Sequence, residues 1–376
     1  MTTNQNPATQ LLASFHQMDD QFRSFVILCF TFLVLVLFIG YLIYISRLDS
    51  SEVSYMNTLY PSLDGNIRAI QSGDPDCSGN VYDYYIKTAY NACSGGSYKN
   101  DYVDINILKA ILKQGVRGLD FELYSVENQP VVATSTQDSY FVKETFNSVN
   151  FGTVMDTIAN YAFASGTVPN PTDPLFIHLR CQSNNQEMYT NLANVFKSYD
   201  NLMLGKEYSY ENSGLNIGST PLLSLQGKVV LIIDRSNTAF LENDALLEYV
   251  NLTSGSVFMR GYSYYDIVNN QDTQELTEFN RRSMTIVFPD GGASPVNPSG
   301  YLCRSYGCQM VAMRYQYVDQ NLEENALFFD TCGYAFCLKP QALRYVPVTI
   351  PDPTPQNPAY SYATRNVASD YYNFNM

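Results

Sequence analysis

The 376-residue sequence contains no tryptophan and only two histidines, His16 and His178. His16 lies ahead of everything that can form a folded domain, so chemistry that needs two imidazoles in one site is excluded. Basic residues are also scarce. The 22 Lys and Arg stand against 36 Asp and Glu, for a formal net charge of −14, and no basic run occurs anywhere. That balance disfavours nucleic acid as a partner and offers no attraction to anionic lipid headgroups. No C-x-x-C pair with zinc spacing occurs, so no metal cluster is expected, and no G-x-G-x-x-G turn supports a dinucleotide site. What is plentiful is apolar and aromatic material, 45% and 14% of residues, which excludes general disorder. The 31 tyrosines are expected to serve packing and interfaces rather than chemistry.

Residues 25–45, FVILCFTFLVLVLFIGYLIYI, carry no charge. At 1.5 Å per residue this run spans about 31 Å, the thickness of a bilayer's hydrocarbon core. A cleaved signal peptide would have a shorter apolar run, a basic upstream flank and a small-residue cleavage site. Here Asp19 and Asp20 stand beside Arg23, and Ser46, Arg47, Leu48 and Asp49 follow. The expectation is an uncleaved, single-pass transmembrane helix with Tyr41 and Tyr44 near one interface. Arg23 and Arg47 balance each other across it, so flanking charge does not set the orientation.

Cysteine usage bears on compartment. Cys29 lies in the span, leaving Cys77, Cys93, Cys181, Cys303, Cys308, Cys332 and Cys337. Pairs such as Cys77–Cys93 or Cys303–Cys308 would suit disulfides with one thiol left over, and Cys332/Cys337 is another structural pair. The sequon Asn251-Leu252-Thr253 points the same way. An extracytoplasmic or luminal domain is the reading preferred, with buried reduced thiols as the alternative.

Along the chain, residues 1–24 read as a short polar tail, 25–45 as the transmembrane helix and 46–79 as a connector punctuated by Pro61, Gly65, Gly73 and Pro75. Residues 80–346 alternate short apolar runs with amphipathic segments. The runs are 116–123, 130–134, 174–179, 228–233, 256–261, 284–288 and 307–316, and the segments 104–114, 150–163 and 186–199 are helix-like. Strands apolar on both faces alternating with helices predict an α/β fold with a parallel sheet, at the size of a (β/α)8 TIM-like barrel, with a doubly wound sheet as runner-up. Residues 347–376 form a Pro/Tyr-rich extended tail, either disordered or packed on a neighbour.

Residues 284–344 contain Phe288-Pro289, Gly307-Cys308-Gln309-Met310-Val311-Ala312, Gly333-Tyr334 and Leu338-Lys339-Pro340 in that order. This resembles the Y half of the phosphoinositide-specific phospholipase C barrel. Fainter, collinear likenesses to the X half lie at 115–123, 128–132, 174–188 and 225–235. The resemblance implies a phospholipase-C-type barrel and a mechanism with two histidines and a calcium ion held by Asn, Glu, Asp and Glu. Carried onto this chain, the first histidine falls at Tyr90 and the second at Thr134. Of the calcium ligands, Asn91 is kept, the Glu/Asp pair becomes Asp120 and Glu122, and the last carboxylate becomes Arg180. Phosphate-binding lysines fall at Ile232 and Asp234, and the Arg and Tyr of the R-I-Y-P run at Ile286 and Phe288. The resemblance therefore implies no catalytic residues, only degenerate positions, and vestigial metal ligands in Asn91, Asp120 and Glu122. An arginine beside the two acids would plug the cavity with a salt bridge. His178, in an apolar run, is expected to be a satisfied core histidine.

These readings converge on a membrane-anchored, catalytically inactive phospholipase-C-like scaffold, a pseudoenzyme without cofactor. Its partners would be the bilayer through 25–45 and proteins through the barrel surface and the 347–376 tail, with no nucleic acid. A virion component linking an internal membrane to a capsid is one setting for such a chain. The alternatives are a calcium-dependent phosphodiesterase with a non-standard site, or a lipid-headgroup-binding module.

Overall fold

The computed structural model describes residues 19–136, 141–209, 216–346, 352, 354, 355, 357, 360 and 362–376. Most of the N-terminal polar tail, His16 included, and parts of the segment after Val346 lie outside the described residues. Contacts divide the chain into two units, Met1–Arg344 and Tyr345–Met376.

The first unit opens with α1, Asp20–Leu59, a 40-residue helix. Its apolar stretch has a mean hydropathy of 3.0 and none of it is buried, so it is long and apolar enough to cross a membrane. The helix does not stop at residue 45. It runs on through the first part of the expected connector, because residues 46–59 hold no glycine or proline, and Pro61 follows its last turn. That extension is buried where it meets the barrel. Met56 is fully enclosed, Val53 and Leu59 pack beside it, and Glu52 faces the loop that contains Gly95, Gly96 and Asp101. The carboxylates of Glu52 and Asp101 both lie against Gly96, where a Cβ would have to displace them. Burial and the neighbouring Asp101 push the Glu52 carboxyl up to about 10.

Eight parallel strands follow: β1 Tyr84–Ala89, β2 Gly118–Val126, β3 Leu175–Cys181, β4 Val229–Asp234, β5 Leu252–Ser254, β6 Met259–Ser263, β7 Met284–Phe288 and β8 Met310–Met313. The ladder runs β5-β4-β3-β2-β1-β8-β7-β6, a nearly closed α/β barrel open only between β5 and β6. Residues 255–258, which join those two strands, leave no room for the crossover helix that parallel neighbours otherwise need. The sequence runs at 116–123, 174–179, 228–233, 284–288 and 307–316 each fall on a barrel strand, whereas 130–134 overlaps Gln129–Val132, an antiparallel partner of β2 reached through a turn at Glu127 and Asn128.

Period-two alternation sorts the side chains. Leu119, Phe121, Ile177, Leu179, Leu231 and Val287 face the helical layer. Phe176, Val230, Ile232, Leu252, Met284, Ile286 and Met310 fill the lower barrel. The amphipathic segments form the helices Ile105–Lys113, Phe151–Thr157 and Gln186–Ser198, each started by an Asx side chain (Asp104, Asn150, Asn185) that accepts a backbone N–H.

Lys339, in the motif before the tail, is buried and donates its Nζ to the Asn280 carbonyl at 2.9 Å. Burial lowers its pKa to about 7. The folded value lies below the ordinary 10.5, so its cost is fully present below pH 7 and disappears as pH rises towards 10. Thermal melts between pH 7 and 10 should therefore show wild type gaining stability relative to Lys339→Met, by several degrees. A constant difference across that range would contradict this.

Two of the expected disulfides are corrected. Cys77, before the start of β1, and Cys93, after its end, are both buried free thiols and do not pair. Cys303 and Cys308 are also thiols, with Cys308 Sγ turned towards Asn280 Nδ2 at 3.6 Å. Among the described residues the disulfide is Cys332–Cys337. The sequon is corrected as well: Asn251 is buried, its Oδ1 accepting from Leu231 N at 2.8 Å and its Nδ2 donating to the Tyr208 carbonyl, so the folded chain offers no acceptor for a glycan.

The second unit contains a β-hairpin, Asn366–Ala368 paired with Asn373–Asn375, so this part of the expected extended tail is ordered. Tyr362, Tyr371 and Phe374 are exposed in this unit.

Candidate functional site

The upper barrel carries polar side chains on the same inward face that is apolar below. On β2, Asp120 and Glu122 share that face at i and i+2; on β3, His178 and Arg180 do the same. The parallel register sets Asp120 beside His178 and Glu122 beside Arg180. All four are buried, Asp120, Glu122 and His178 completely.

The Arg180 guanidinium lies between the two acids. Nε and Nη2 donate to Asp120 Oδ1 and Oδ2 at 3.1 and 2.8 Å, and Nη1 pairs with Glu122 Oε1 at 3.0 Å. Nη2 also donates to Asn91 Oδ1 at 3.0 Å. Asn91, held at φ 43° after β1, returns Nδ2 to Glu122 Oε1 at 2.8 Å and its backbone N–H to Asp120 Oδ2 at 3.2 Å. Asparagine is among the residues that best tolerate that left-handed backbone. Glu122 Oε2 accepts from Tyr124 Oη at 2.9 Å and from the Ser135 N–H at 3.0 Å. Burial alone would raise the Asp120 carboxyl, but Arg180 and the His178 hydrogen bond outweigh it and hold it down to about 2.

His178 has both ring nitrogens engaged: Nδ1 with Asp120 Oδ1 at 2.8 Å and Nε2 with Ser254 Oγ at 2.9 Å. Ser254 in turn donates to Asp234 Oδ1 at 2.7 Å. The order Asp120–His178–Ser254 imitates an acid–base–nucleophile relay. Ser254 is wholly buried beneath Gly261, however, and its proton is directed to Asp234 rather than to the cleft. The relay is a structural polar network.

The other sequence-derived positions are close by. Tyr90 lies over the Arg180 guanidinium, 4.6 Å from ring centroid to Cζ, and packs on Tyr98 and Phe288. Thr134 is buried and donates to the Tyr98 carbonyl at 3.1 Å. Ile232 is in the lower core, Ile286 likewise, and Asp234 and Phe288 reach the mouth. Sequence reasoning missed Tyr124, Ser135, Tyr98 and Ser254. Tyr124 could have been found, because it continues the inward face of Asp120 and Glu122; the other three come from loops and from a three-residue strand with no periodic signal.

A calcium ion does not fit these residues. The carboxylates that would bind it are spent on a fixed guanidinium, and a second cation at the same point would meet its charge. Among the described residues, no cluster of three or more His, Cys, Asp or Glu is arranged to hold a metal.

Above this floor is a cleft of about 410 Å³ lined by Tyr90, Tyr98, Ser135, Thr136, Arg180, Asp234, Ser236, Gly261, Tyr262, Ser263, Phe288, Pro289 and Asp290, among others. It opens at the C-terminal ends of the strands, where barrels of this type place their sites.

Comparison with known proteins agrees with the resemblance in the sequence. Residues 255–342 match the family described as Phosphatidylinositol-specific phospholipase C, Y domain. The fold is similar to that of S. officinalis PLC21, with a TM-score of 0.57 and 18% identity over 72% of this chain and 38% of that one. It is likewise similar to L. pealei PLC21, with a TM-score of 0.56 and 17% identity over the same shares. A calcium-dependent phosphoinositol-specific phospholipase C from a Pseudomonas species aligns with 70% of this chain and 97% of its own, at 13% identity and a TM-score of 0.45. The chain thus spans 38% of the length of the two PLC21 proteins. No curated protein sequence matches it.

Proposed function

We propose that this chain, similar to phosphoinositide-specific phospholipase C in its barrel and in its Y half, is a membrane-anchored pseudoenzyme that works as a scaffold. One observation carries the reading. Arg180 stands where the resemblance puts the last calcium carboxylate, and its guanidinium binds Asp120, Glu122 and Asn91, the three remaining vestigial ligands. Tyr90 and Thr134, at the two histidine positions, are packed into the surrounding structure and supply no imidazole. The continuous helix α1 supports the anchoring part: it carries the apolar span directly into a buried contact with the barrel, so the domain would sit close to the bilayer without a flexible tether. Exposed aromatics on the C-terminal hairpin support protein partners as the targets of the tail. A virion membrane, with the barrel and tail reaching a capsid, is the setting we favour.

The test is hydrolysis of phosphatidylinositol in mixed vesicles by the full chain, with calcium or with chelator. No inositol phosphate should appear above the vesicle background. Calcium-dependent turnover that is lost in Glu122→Ala would overturn the proposal.

A further inference from the structure

We infer that the cleft at the barrel mouth receives the ammonium group of a lysine side chain presented by a protein partner. The inference rests on the reading of Arg180 as spent within the floor, and it concerns what the space above that floor binds.

Charge decides the ligand's sign. Asp234 and Asp290 line the cleft and Asp120 and Glu122 lie behind its floor, while among the described residues Arg180 is the one basic residue in the lining and Arg314 lies behind the wall of Tyr98 and Pro295. Arg180 is already shared between two carboxylates, so an incoming anion would meet a surplus of negative charge. At Asp234, moreover, an acid stands where the resemblance expects a phosphate-binding lysine.

Shape and acceptor capacity favour a primary ammonium. Asp234 accepts from Ser254 Oγ at 2.7 Å and from the Ser236 N–H at 3.2 Å, and Asp290 Oδ1 accepts from the Tyr265 N–H at 2.7 Å. An ionised carboxylate offers about four lone-pair sites, so both acids keep acceptor capacity towards the cleft. A lysine brings three N–H donors to them. A quaternary ammonium brings none, and in phosphocholine it also carries a phosphate. The walls complete the match: Tyr262 and Phe288 are half-buried beside the acids and offer aromatic faces to a cation and to the methylenes behind it. The volume of about 410 Å³ is ample for one extended side chain.

Calorimetric titration of the full chain in non-ionic micelles tests this, with N-acetyl-lysine methylamide against its uncharged norleucine analogue, inorganic phosphate and phosphocholine. The lysine derivative should bind, the norleucine and phosphate should not, and phosphocholine should bind more weakly. Asp234→Asn should weaken lysine binding about tenfold and Asp290→Asn should weaken it further, with melting temperatures recorded to verify folding. Raising NaCl tenfold on wild type, which needs no variant, should also weaken it. Equal binding of norleucine, tighter binding of phosphate or phosphocholine, or no heat with any probe would overturn the inference. Turnover in the hydrolysis assay would instead refute the pseudoenzyme reading, so the two failures are distinguishable.

Discussion

Replacing Arg180 by methionine should destabilise the barrel by about 3–5 kcal/mol, the cost of leaving a buried ion pair without one partner. In this chain the loss is doubled in kind, because Asp120 and Glu122 are both fully buried and both depend on the same guanidinium. For a barrel of this size the change corresponds to a fall in melting temperature on the order of 10 °C. The pH dependence should change sign with it. In the wild type, Asp120 is held at about 2, below its ordinary 3.8, so its contribution is complete above pH 3.8 and is lost as pH falls through 2. In Arg180→Met the unpaired acids hold protons more tightly than in the unfolded chain, so the variant should recover stability as pH falls from 7 towards 5. Arg180→Lys keeps the charge but not the fork that reaches Asp120 twice and Glu122 once, and should lie between the two. Denaturant unfolding of the three proteins at pH 5 and pH 7 measures the ranking and the variant's recovery, and a further series on wild type below pH 4 measures its own loss. An Arg180→Met barrel as stable as wild type at pH 7 would show that the guanidinium is not what satisfies the acids.

Arginines introduced together at Leu33 and Leu37 should release the chain from membranes. Each charge at the centre of a span costs about 2.5–3.5 kcal/mol of insertion, and the positions share one helix face. The wild-type chain should resist carbonate extraction, while the double variant should move to the soluble fraction. The same experiment separates the anchor from a processed leader: intact mass of the membrane-bound wild-type chain should include residues 25–45. A mature chain beginning after residue 45 would contradict the single-pass reading.

Strong physical signals made parts of the fold legible in the sequence. β7 was legible to the residue because Met284–Phe288 is a run of apolar and β-branched residues, and the three capped amphipathic helices fell within a residue or two of the starts of their segments. β1 was not legible. Lys87 breaks its apolar pattern, and only the fold supplies the partners, Asp64 at 3.0 Å and Asp330 at 3.8 Å, that make a lysine tolerable there. β5 is three residues long and carries no usable period. At the site, the resemblance alone paired Asp120 with Glu122 and put Arg180 at the position of a third ligand. Spacing could not reveal that Asn91, 31 residues before Glu122, would lock the cluster from a left-handed turn. Nor could the sequon be judged from its pattern, since its failure comes from burial of Asn251 against β4.

In the proposed pseudoenzyme, the guanidinium of Arg180 stands in the place of a metal ion. Calcium titrated into the full chain, followed by its melting temperature, tests that most directly, because a ligand held only by the folded state must stabilise it. No saturable rise is expected up to millimolar calcium. A saturable rise that is abolished by Glu122→Gln would contradict it.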